Sequence, residues 1–312
     1  MVDIVIPCFN DMGNLQGTIR SVLCQNIPSQ EELRIILVDD GSTEGAVALD
    51  SIDTTIVTVI RHEHNRGLAA ARNTGARNGD SGTILFLDAD CELLSDQAIS
   101  SHLYTLSNHD VSVGGVGAAS NCFWGRYQND VADRRFQLLE KGMVFEGGTA
   151  ANCAISRRVF EKLGGFDERY TKYGFEDKDF FLRLRELNAR VGICKSAMAR
   201  HDANISLLAI CNKLKTAGQY TSVIFMESYL EDYKHMSYAK VDARLHGKMF
   251  AVIMSLSWFV LDHSKKWLNW MLNNRVIPYS IAKKCVKLTS AIAYSYGTIL
   301  SSQPIKRRDH HQ

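Results

Sequence analysis

Two aspartates one residue apart, Asp88 and Asp90, directly follow a short apolar run at residues 84–87. The run predicts a buried strand. Side chains two residues apart in an extended segment point the same way, so both carboxylates can converge beyond the strand end. Paired carboxylates repel and are costly to desolvate unless a cation or a sugar hydroxyl lies between them. A hard divalent ion carrying diphosphate oxygens is the usual solution to such a pair, whereas the motif taken alone favours a solvated acidic turn. The choice between them therefore depends on the motifs around it.

The elements that must position these aspartates are strands alternating with helices. Apolar runs predict buried strands at residues 4–6, 35–38, 56–60 and 84–87, and the stretches between them include predicted helices at 15–23 and 68–77. This alternation predicts βαβ units and a mostly parallel sheet covered on both faces. Ligands of such sheets bind at the carboxyl ends of the strands.

Special residues follow two other predicted strands at that same edge. Pro7, Phe9 and Asn10 follow the first strand, and Asp39 and Asp40 follow the second. An aromatic ring at a strand end can stack on a nucleobase, and a carboxylate can accept a hydrogen bond from a pyrimidine N3–H. A core phenylalanine and aspartates that simply cap a turn are the alternatives. Together with the aspartate pair, these strand ends predict one site.

The next segment, residues 64–73, has the pattern of a glycine-hinged turn that opens a helix. It contains Asn65, Gly67 and Arg72, and an arginine there is suited to reach a nucleotide or a diphosphate. A surface arginine is the alternative. Taken with the aspartate pair, these segments resemble, in order over residues 1–92, the nucleotide-sugar-binding half of family 2 glycosyltransferases, which have the GT-A fold.

Three later segments resemble the acceptor half of the same family. They are residues 147–158, the Gly-Gly-Phe-Asp-Glu turn within 163–168, and residues 174–184 with a Glu-Asp-x-Asp helix start. By resemblance Asp177 is the general base, a role that requires only a proton acceptor near the attacking oxygen. Asp177 and Asp179 would otherwise be first-turn residues that complement a helix dipole.

The resemblance implies an α/β GT-A fold, Rossmann-like, with a mostly parallel central sheet flanked by helices and a C-terminal helical appendage. It implies a glycosyltransferase domain at 1–205, divided into a nucleotide-sugar-binding half (1–92) and an acceptor half (93–205). The implied activity is inverting, metal-dependent transfer from a nucleotide-diphosphate sugar, most simply UDP-linked, to a hydroxyl of a glycan or lipid-linked acceptor. Surface polysaccharide or glycoconjugate assembly is the implied setting.

Roles for single residues also follow from the resemblance. Asp90 and His201, with Asp88, would bind Mn²⁺ or Mg²⁺, and Glu176 and Asp179 would orient the acceptor or the base Asp177. The residues expected to bind the nucleotide sugar are Pro7, Phe9, Asn10, Asp39, Asp40, Asn65, Gly67, Arg72, Asp88, Ala89, Asp90, Gly147 and Gly148. The two glycines at 147 and 148 would allow close approach to the donor sugar.

The charge distribution predicts a boundary near residue 205. Residues 1–205 hold 21 Lys and Arg against 28 Asp and Glu, whereas residues 206–312 hold 15 against 6. The apolar segments in the basic part, 249–261 and 286–300, fall short of the roughly 20 residues that span a bilayer. We expect a helical segment that rests on an anionic membrane surface and presents the acceptor. Packing on the catalytic domain or on a second subunit is the open alternative.

The cysteine pattern and the absence of some sequence motifs narrow the classes of protein to which the chain can belong. The eight cysteines are scattered without a CxxC pair, and Met1 leads directly into a strand-like run, so we expect a cytoplasmic protein with reduced thiols. A nucleotidyltransferase would need a basic glycine-rich loop, but residues 7–20 contain only Arg20 as a base. A non-catalytic carbohydrate- or lipid-binding module on the same fold remains open, and no nucleic-acid motif supports a nucleic-acid partner.

Overall fold

The computed structural model describes residues 1–27, 32–43, 57–201 and 205–301. The chain forms two compact units. The first unit comprises Met1–Ser120, Gln128–Thr171 and Asp177–Ala203. The second unit comprises Asn121–Tyr127, Lys172–Glu176 and Asn204–Gln312.

The first unit is built on an eight-stranded sheet. Its strands are β1 Val2–Cys8, β2 Leu33–Asp39, β3 Val57–Arg61, β4 Thr83–Leu87, β5 Cys91–Leu93, β6 Val111–Gly117, β7 Asn152–Ser156 and β8 Val191–His201. Their order across the sheet is β3-β2-β1-β4-β7-β6-β8-β5. The first four strands are parallel, as is the β6–β8 pair, whereas β7 and β5 run antiparallel to their neighbours. The four predicted strands are present, and Ile56 of the third prediction lies outside the described residues.

Helices flank this sheet. They are α1 Met12–Leu23, α2 Leu68–Arg77, α3 Ala98–Leu106, α4 Phe123–Glu140, α5 Val144–Gly147, α6 Arg157–Leu163 and α7 Glu176–Glu186. The buried alanines of α2 let it pack closely on β1 and β2. A Cβ at Gly75 of α2 would lie 2.3 Å from a methyl group of Val5, so the close approach requires glycine there. Within the described residues four of the seven strand pairings are parallel, and the expected α/β arrangement of helices around the sheet is confirmed.

The second unit is helical. After α8 Leu207–Thr216 come a π-helical turn Ala217–Thr221 and α9 Ser222–His235. Two 3₁₀ turns, Ala239–Val241 and Ala243–Leu245, lead to α10 Lys248–Asn273 and α11 Tyr279–Leu300. Its apolar core includes Trp258, whose ring stacks on Tyr296 at 4.9 Å between centroids. A helical C-terminal segment is therefore confirmed. Among the described residues, none of the helices combines the length and the apolar character needed to cross a bilayer.

Candidate active site

The sheet order places the candidate site at a topological switch point. Strand β1 has β2 on one side and β4 on the other, and all three run parallel. At such a point the loops that follow neighbouring strands turn toward opposite faces of the sheet. Their divergence leaves a crevice at the carboxyl ends of the strands, where ligands of such sheets bind. Phe9, Asp40 and Asp88 all follow strands at this edge.

One buried arginine joins the two carboxylates that sequence analysis placed in different halves of the domain. Arg72 of α2 is only 1% exposed. Its guanidinium donates to Oδ1 of Asp88 at 2.8 Å and to Oδ1 of Asp177 at 3.0 Å. A planar guanidinium with several N–H donors can serve two carboxylates at once, and their charges offset the cost of burying its own. The loop after β4 and the start of α7 thus converge on one charge.

Main-chain contacts hold Asp88 beside this arginine. The Asp88 N–H donates to the Ala151 carbonyl at 3.0 Å, and the buried Thr18 hydroxyl of α1 donates to the Ala89 carbonyl at 2.7 Å. Burial raises the pKa of Asp88; the Arg72 guanidinium opposes that rise, and the neighbouring carboxylates add to it. The loop between β4 and β5 is therefore fixed from both sides.

Asp177 is oriented by three donors. Besides Arg72 on Oδ1, its Oδ2 accepts from the Thr149 hydroxyl and from the Ala150 N–H, both at 3.1 Å. An ionised carboxylate offers about four lone-pair positions, so one further position can accept a proton. With 22% of its side chain exposed, Asp177 is reachable from solvent.

Strand register brings Asp90 to His201. Strand β5 pairs antiparallel with β8, which sets Cys91 opposite His201. Asp90 is the residue before Cys91, and its Oδ2 lies 2.8 Å from Nε2 of His201. The other ring nitrogen, Nδ1, lies 2.6 Å from the Gln128 amide. Two residues 111 positions apart therefore form a pair that the sequence predicted as metal ligands.

The donor set fits a divalent ion that also binds phosphate. Within the described ranges no cluster of three or more His, Cys, Asp and Glu side chains is arranged to hold a metal ion. Asp88, the third predicted ligand, pairs with Arg72. A carboxylate and an imidazole leave most coordination positions to other ligands, as is usual for Mg²⁺ or Mn²⁺ held partly by substrate phosphates. Residues present here fit such an ion with two protein ligands.

At the carboxyl end of β2, Asp39 and Asp40 hold loops together. Asp40 is buried and accepts from the Arg66 and Gly67 N–H groups at 2.9 and 2.8 Å, and it contacts His62 at 2.7 Å. Asp39 accepts from the Ser42 N–H at 2.8 Å. The predicted hydrogen bond from a pyrimidine to Asp40 stays a prediction.

The end of β1 presents an aromatic ring to solvent. Phe9 is 45% exposed, whereas Pro7 within β1 is buried. Asn10 has a φ of 51° and joins the β1 and β2 ends, since its N–H donates to the Ser42 hydroxyl and its side chain accepts from the Thr43 N–H. An exposed ring at a strand end is suited to stack on a base.

The glycines predicted to approach a donor sugar have protein neighbours. A Cβ at Gly148 would lie 2.3 Å from the Phe181 ring, and one at Gly147 would lie 2.7 Å from the Arg135 carbonyl. Gly67 has a φ of 95° at the start of α2, a conformation that glycine adopts without strain, and Asn65 is exposed. Packing alone therefore requires small residues at 147 and 148.

The acidic residues near Asp177 in the sequence, Glu176 and Asp179, are both buried. Asp179 is 2% exposed and pairs with Arg183 at 2.7 Å, and the same guanidinium donates to the Gly165 carbonyl at 2.8 Å. Burial raises the pKa of Asp179, and Arg183 opposes that rise. Asp179 thus ties α7 to the Gly-Gly-Phe-Asp-Glu turn. Glu176 is buried at the first position of α7.

Sequence analysis did not identify two residues that contact the candidate site, Gln128 beside His201 and Thr149 beside Asp177. Thr149 lies inside the segment 147–158 that carried the resemblance, so its position was a usable signal. Gln128 lies in α4, whose sequence gave no indication of proximity to β8, because helix packing rather than local pattern brings the two together.

Comparison with known families identifies the chain. Residues 3–164, 162 of the 312, match the family model described as glycosyl transferase family 2. Residues 141–204 match the model described as the N-terminal domain of galactosyltransferase. The protein belongs to glycosyltransferase family 2 and is a glycosyltransferase.

Curated relatives agree with this class. An uncharacterized glycosyltransferase of Haemophilus influenzae is 25% identical, and the alignment covers 84% of this chain and 94% of the relative. The pre-mycofactocin glycosyltransferase of Mycobacterium tuberculosis is 29% identical over 66% of this chain, which spans 43% of that protein. Human polypeptide N-acetylgalactosaminyltransferase 3 is 25% identical over 84% of this chain and 46% of its own length.

Solved structures show the same fold. A mannosyltransferase from Pyrobaculum calidifontis, in complex with GDP-Man and Mn²⁺, aligns with a TM-score of 0.60 at 15% identity over 97% of this chain and 88% of its own. Staphylococcus aureus TarS 1–349 in complex with UDP-GlcNAc aligns with a TM-score of 0.52 at 13% identity, covering 96% and 90% of the two chains. At these identities the likeness establishes the GT-A fold.

Proposed function

We propose that this glycosyltransferase acts with inversion, uses a divalent metal ion, and transfers a sugar from a UDP-linked donor to a hydroxyl group. The observation that carries the proposal is the convergence of Asp88 and Asp177 on the buried guanidinium of Arg72. It joins a donor-side loop and an acceptor-side helix start in one site of the first unit. A glycan or lipid-linked molecule in surface polysaccharide or glycoconjugate assembly is the proposed acceptor.

In the proposed reaction, Asp177 accepts the proton of the acceptor hydroxyl as its oxygen attacks the anomeric carbon. The bond from that carbon to the diphosphate oxygen breaks, and its electron pair leaves with the nucleoside diphosphate. A single in-line displacement inverts the anomeric centre. Arg72, Thr149 and the Ala150 N–H orient the carboxylate so that its remaining lone pair can face the acceptor.

Asp90 and His201 are the proposed metal ligands, and Asp88 is the proposed ribose contact. When bound, a divalent ion would neutralise the charge that develops on the departing diphosphate. A manganese complex is described for the mannosyltransferase with the same fold, which supports the choice of ion class.

Calorimetry and turnover in two variants test this division of roles. Asp90→Asn should weaken metal-dependent UDP binding, because it removes a charged ligand. Asp177→Asn should leave UDP affinity nearly unchanged while turnover falls at least ~100-fold, as expected for loss of a general base. If Asp177→Asn lost UDP affinity as severely as Asp90→Asn, the assignment would be wrong.

The base preference rests on Phe9 and Asp40. Asp40 already accepts three hydrogen bonds, which leaves about one lone-pair position for a pyrimidine N3–H. A thermal-shift panel of UDP, dTDP, CDP and GDP, with and without Mn²⁺, tests the preference. UDP should stabilise the protein most and only with metal, and equal stabilisation by GDP would contradict the proposal.

A further inference from the structure

Helix α10, Lys248–Asn273, has two opposite apolar faces. One faces inward, where Trp258, Leu261 and Leu272 contribute to the apolar core of the second unit. Burial of this face explains why α10 packs against α8 and α11. The apolar residues on the other face do not belong to this core, as far as the described part of the chain shows.

Eight large apolar side chains, each between 49% and 73% exposed, line this outer face of α10. They are Met249, Val252, Ile253, Leu256, Phe259, Val260, Trp267 and Trp270. At about 100° per residue they fall within one arc of about 120°, nearly opposite Trp258. The stripe runs about 32 Å along the helix. A continuous exposed apolar surface of this kind marks an interaction site.

Charges around the outer face are basic. Lys248 and Lys266 are exposed and share one edge of the stripe, one near each end. Asp262, the acidic residue of α10, lies on the far side of that edge, and His263 is the titratable residue within the arc. Trp267 and Trp270 adjoin Lys266, a combination suited to a headgroup interface where rings lie at the boundary and ammonium groups meet anionic lipid.

We propose that the outer face of α10 binds an anionic lipid bilayer, with the helix lying in the plane of the membrane interface. The inference concerns a surface of the second unit and does not depend on the chemistry proposed for the first. The helix does not have the apolar length to span, and one apolar stripe edged by lysines is the pattern of an interfacial helix.

Charge favours a bilayer over a second copy of the chain. Residues 206–312 carry 15 basic and 6 acidic residues. Pairing two outer faces would bring two such basic segments together, and like charges across an interface oppose association. Anionic headgroups instead attract nearby lysines.

Vesicle flotation of the full-length protein tests the proposal. The protein should float with vesicles of phosphatidylcholine and phosphatidylglycerol at low salt, and floating should decrease on vesicles of phosphatidylcholine alone or at high salt. Brominated lipids should quench the fluorescence of Trp267 and Trp270. Failure to float with phosphatidylglycerol at low ionic strength would overturn the proposal, and the nucleotide-binding assay above, run without lipid, would be unaffected.

Matched substitutions locate the contact. Leu256→Glu should lower vesicle partitioning by about tenfold or more, since it removes an apolar group that the bilayer would bury and places a charge at the membrane boundary. Tyr104→Glu in α3 makes the same charge change at a side chain that is 79% exposed, and it should leave partitioning unchanged. Equal loss in both variants would show that net charge alone drives binding and would overturn the assignment to α10.

Light scattering without lipid tests the alternative that a second copy of the chain covers the outer face of α10. We expect the same molar mass for the unaltered protein and for Leu256→Glu at low micromolar concentration. A dimer that Leu256→Glu dissociates, together with no flotation, would assign the outer face of α10 to self-association instead.

Discussion

At the scale of single residues, the site depends on which charges are buried together. Arg72 is almost fully buried and pairs with both Asp88 and Asp177, so its removal would leave two carboxylates without their shared cation. Such a group affects stability and function at once, because breaking a buried ion pair leaves an uncompensated charge in a low-dielectric environment.

Replacing Arg72 by methionine should lower the free energy of unfolding by about 3–5 kcal/mol and abolish transfer. The control is Arg77→Met in the same helix, where the arginine is 62% exposed and pairs with Glu168. Exposed pairs contribute about 0–1 kcal/mol, so Arg77→Met should be nearly neutral. Urea denaturation of both variants gives the comparison, and similar losses would contradict the special position of Arg72.

Gln128 should affect the affinity for metal through His201. Replacing it by leucine removes the partner of Nδ1 and should weaken Mn²⁺ binding in the presence of UDP by about 10- to 100-fold, as for other residues that orient metal ligands. The Gln128 amide nitrogen donates to Nδ1, whereas the carboxylate of Gln128→Glu can only accept an N–H from Nδ1, which leaves Nε2 without a proton and able to bind metal. Gln128→Glu should therefore bind Mn²⁺ more tightly than Gln128→Leu. Titration calorimetry measures both, and unchanged affinity in the leucine variant would show that Gln128 does not orient His201.

At the scale of elements, packing between helices and strands sets where glycine and neutral histidine are required. Gly148 lies against the Phe181 ring of α7. His102 of α3 is buried between β6 and β7, where its ring nitrogens lie 2.8 Å from the Ser112 hydroxyl and 3.0 Å from the Asn152 amide oxygen. Gly148 packs the segment before β7 on α7, and His102 connects α3 to β6 and β7.

Gly148→Ala should destabilise the protein by about 1–3 kcal/mol, because the added methyl group overlaps a fully buried ring. Gly82→Ala is the matched control, since a Cβ there meets no atom within 4 Å. Thermal unfolding of both variants tests this account. A Gly148→Ala protein that unfolds normally but binds UDP-sugar weakly would instead support close approach of the donor.

Burial lowers the pKa of His102 from 6.5 to about 4, and its bond to Asn152 opposes that shift. Between these values the unfolded state binds the proton and the folded state does not, so stability falls as pH decreases from about 6.5 to 4. The full contribution is on the order of 3 kcal/mol. The melting temperature of His102→Gln should fall less steeply over this range, whereas His64→Gln, at an exposed position, should follow the unaltered protein.

At the scale of the whole molecule, each of the two compact units has its own buried charge network. In the second unit, Asp242 is fully buried and accepts from the Tyr233 hydroxyl at 2.5 Å and from the Arg244 guanidinium at 2.9 Å. The Tyr233 and Tyr294 hydroxyls lie 2.6 Å apart, and burial raises the pKa of both. This network lies among α9, α11 and the 3₁₀ turns.

Asp242→Ala should lower the unfolding midpoint by several degrees, because it leaves the buried Arg244 without its carboxylate. All four tryptophans, at 124, 258, 267 and 270, belong to the second unit, so their fluorescence reports its unfolding. Asp262→Ala removes an exposed partner of Lys265 and should leave the midpoint within about one degree. Equal midpoints for the two variants would contradict a structural role for the network.

Local pattern determined the strands, the helices between them and the strand-end positions of the site residues. Apolar runs and the residues that end them depend on near neighbours in the chain, and the carboxyl-edge rule then placed Phe9, Asp40 and Asp88 together. The resemblance added Asp177 and His201. Asp90 and His201 lie 2.8 Å apart, and their role as metal ligands stays a prediction.

Only the tertiary structure decided how the charges are shared. Arg72 joins Asp88 to Asp177, and Asp40 accepts from the turn that opens α2. The expected reach of Arg72 to a diphosphate stays a prediction. The sequence also could not predict which face of α10 is exposed, because both faces of this helix are apolar and only the fold determines which one is covered. Periodicity records the hydrophobicity of a face, but burial and ion pairing depend on the elements that pack against it, which lie far away along the chain.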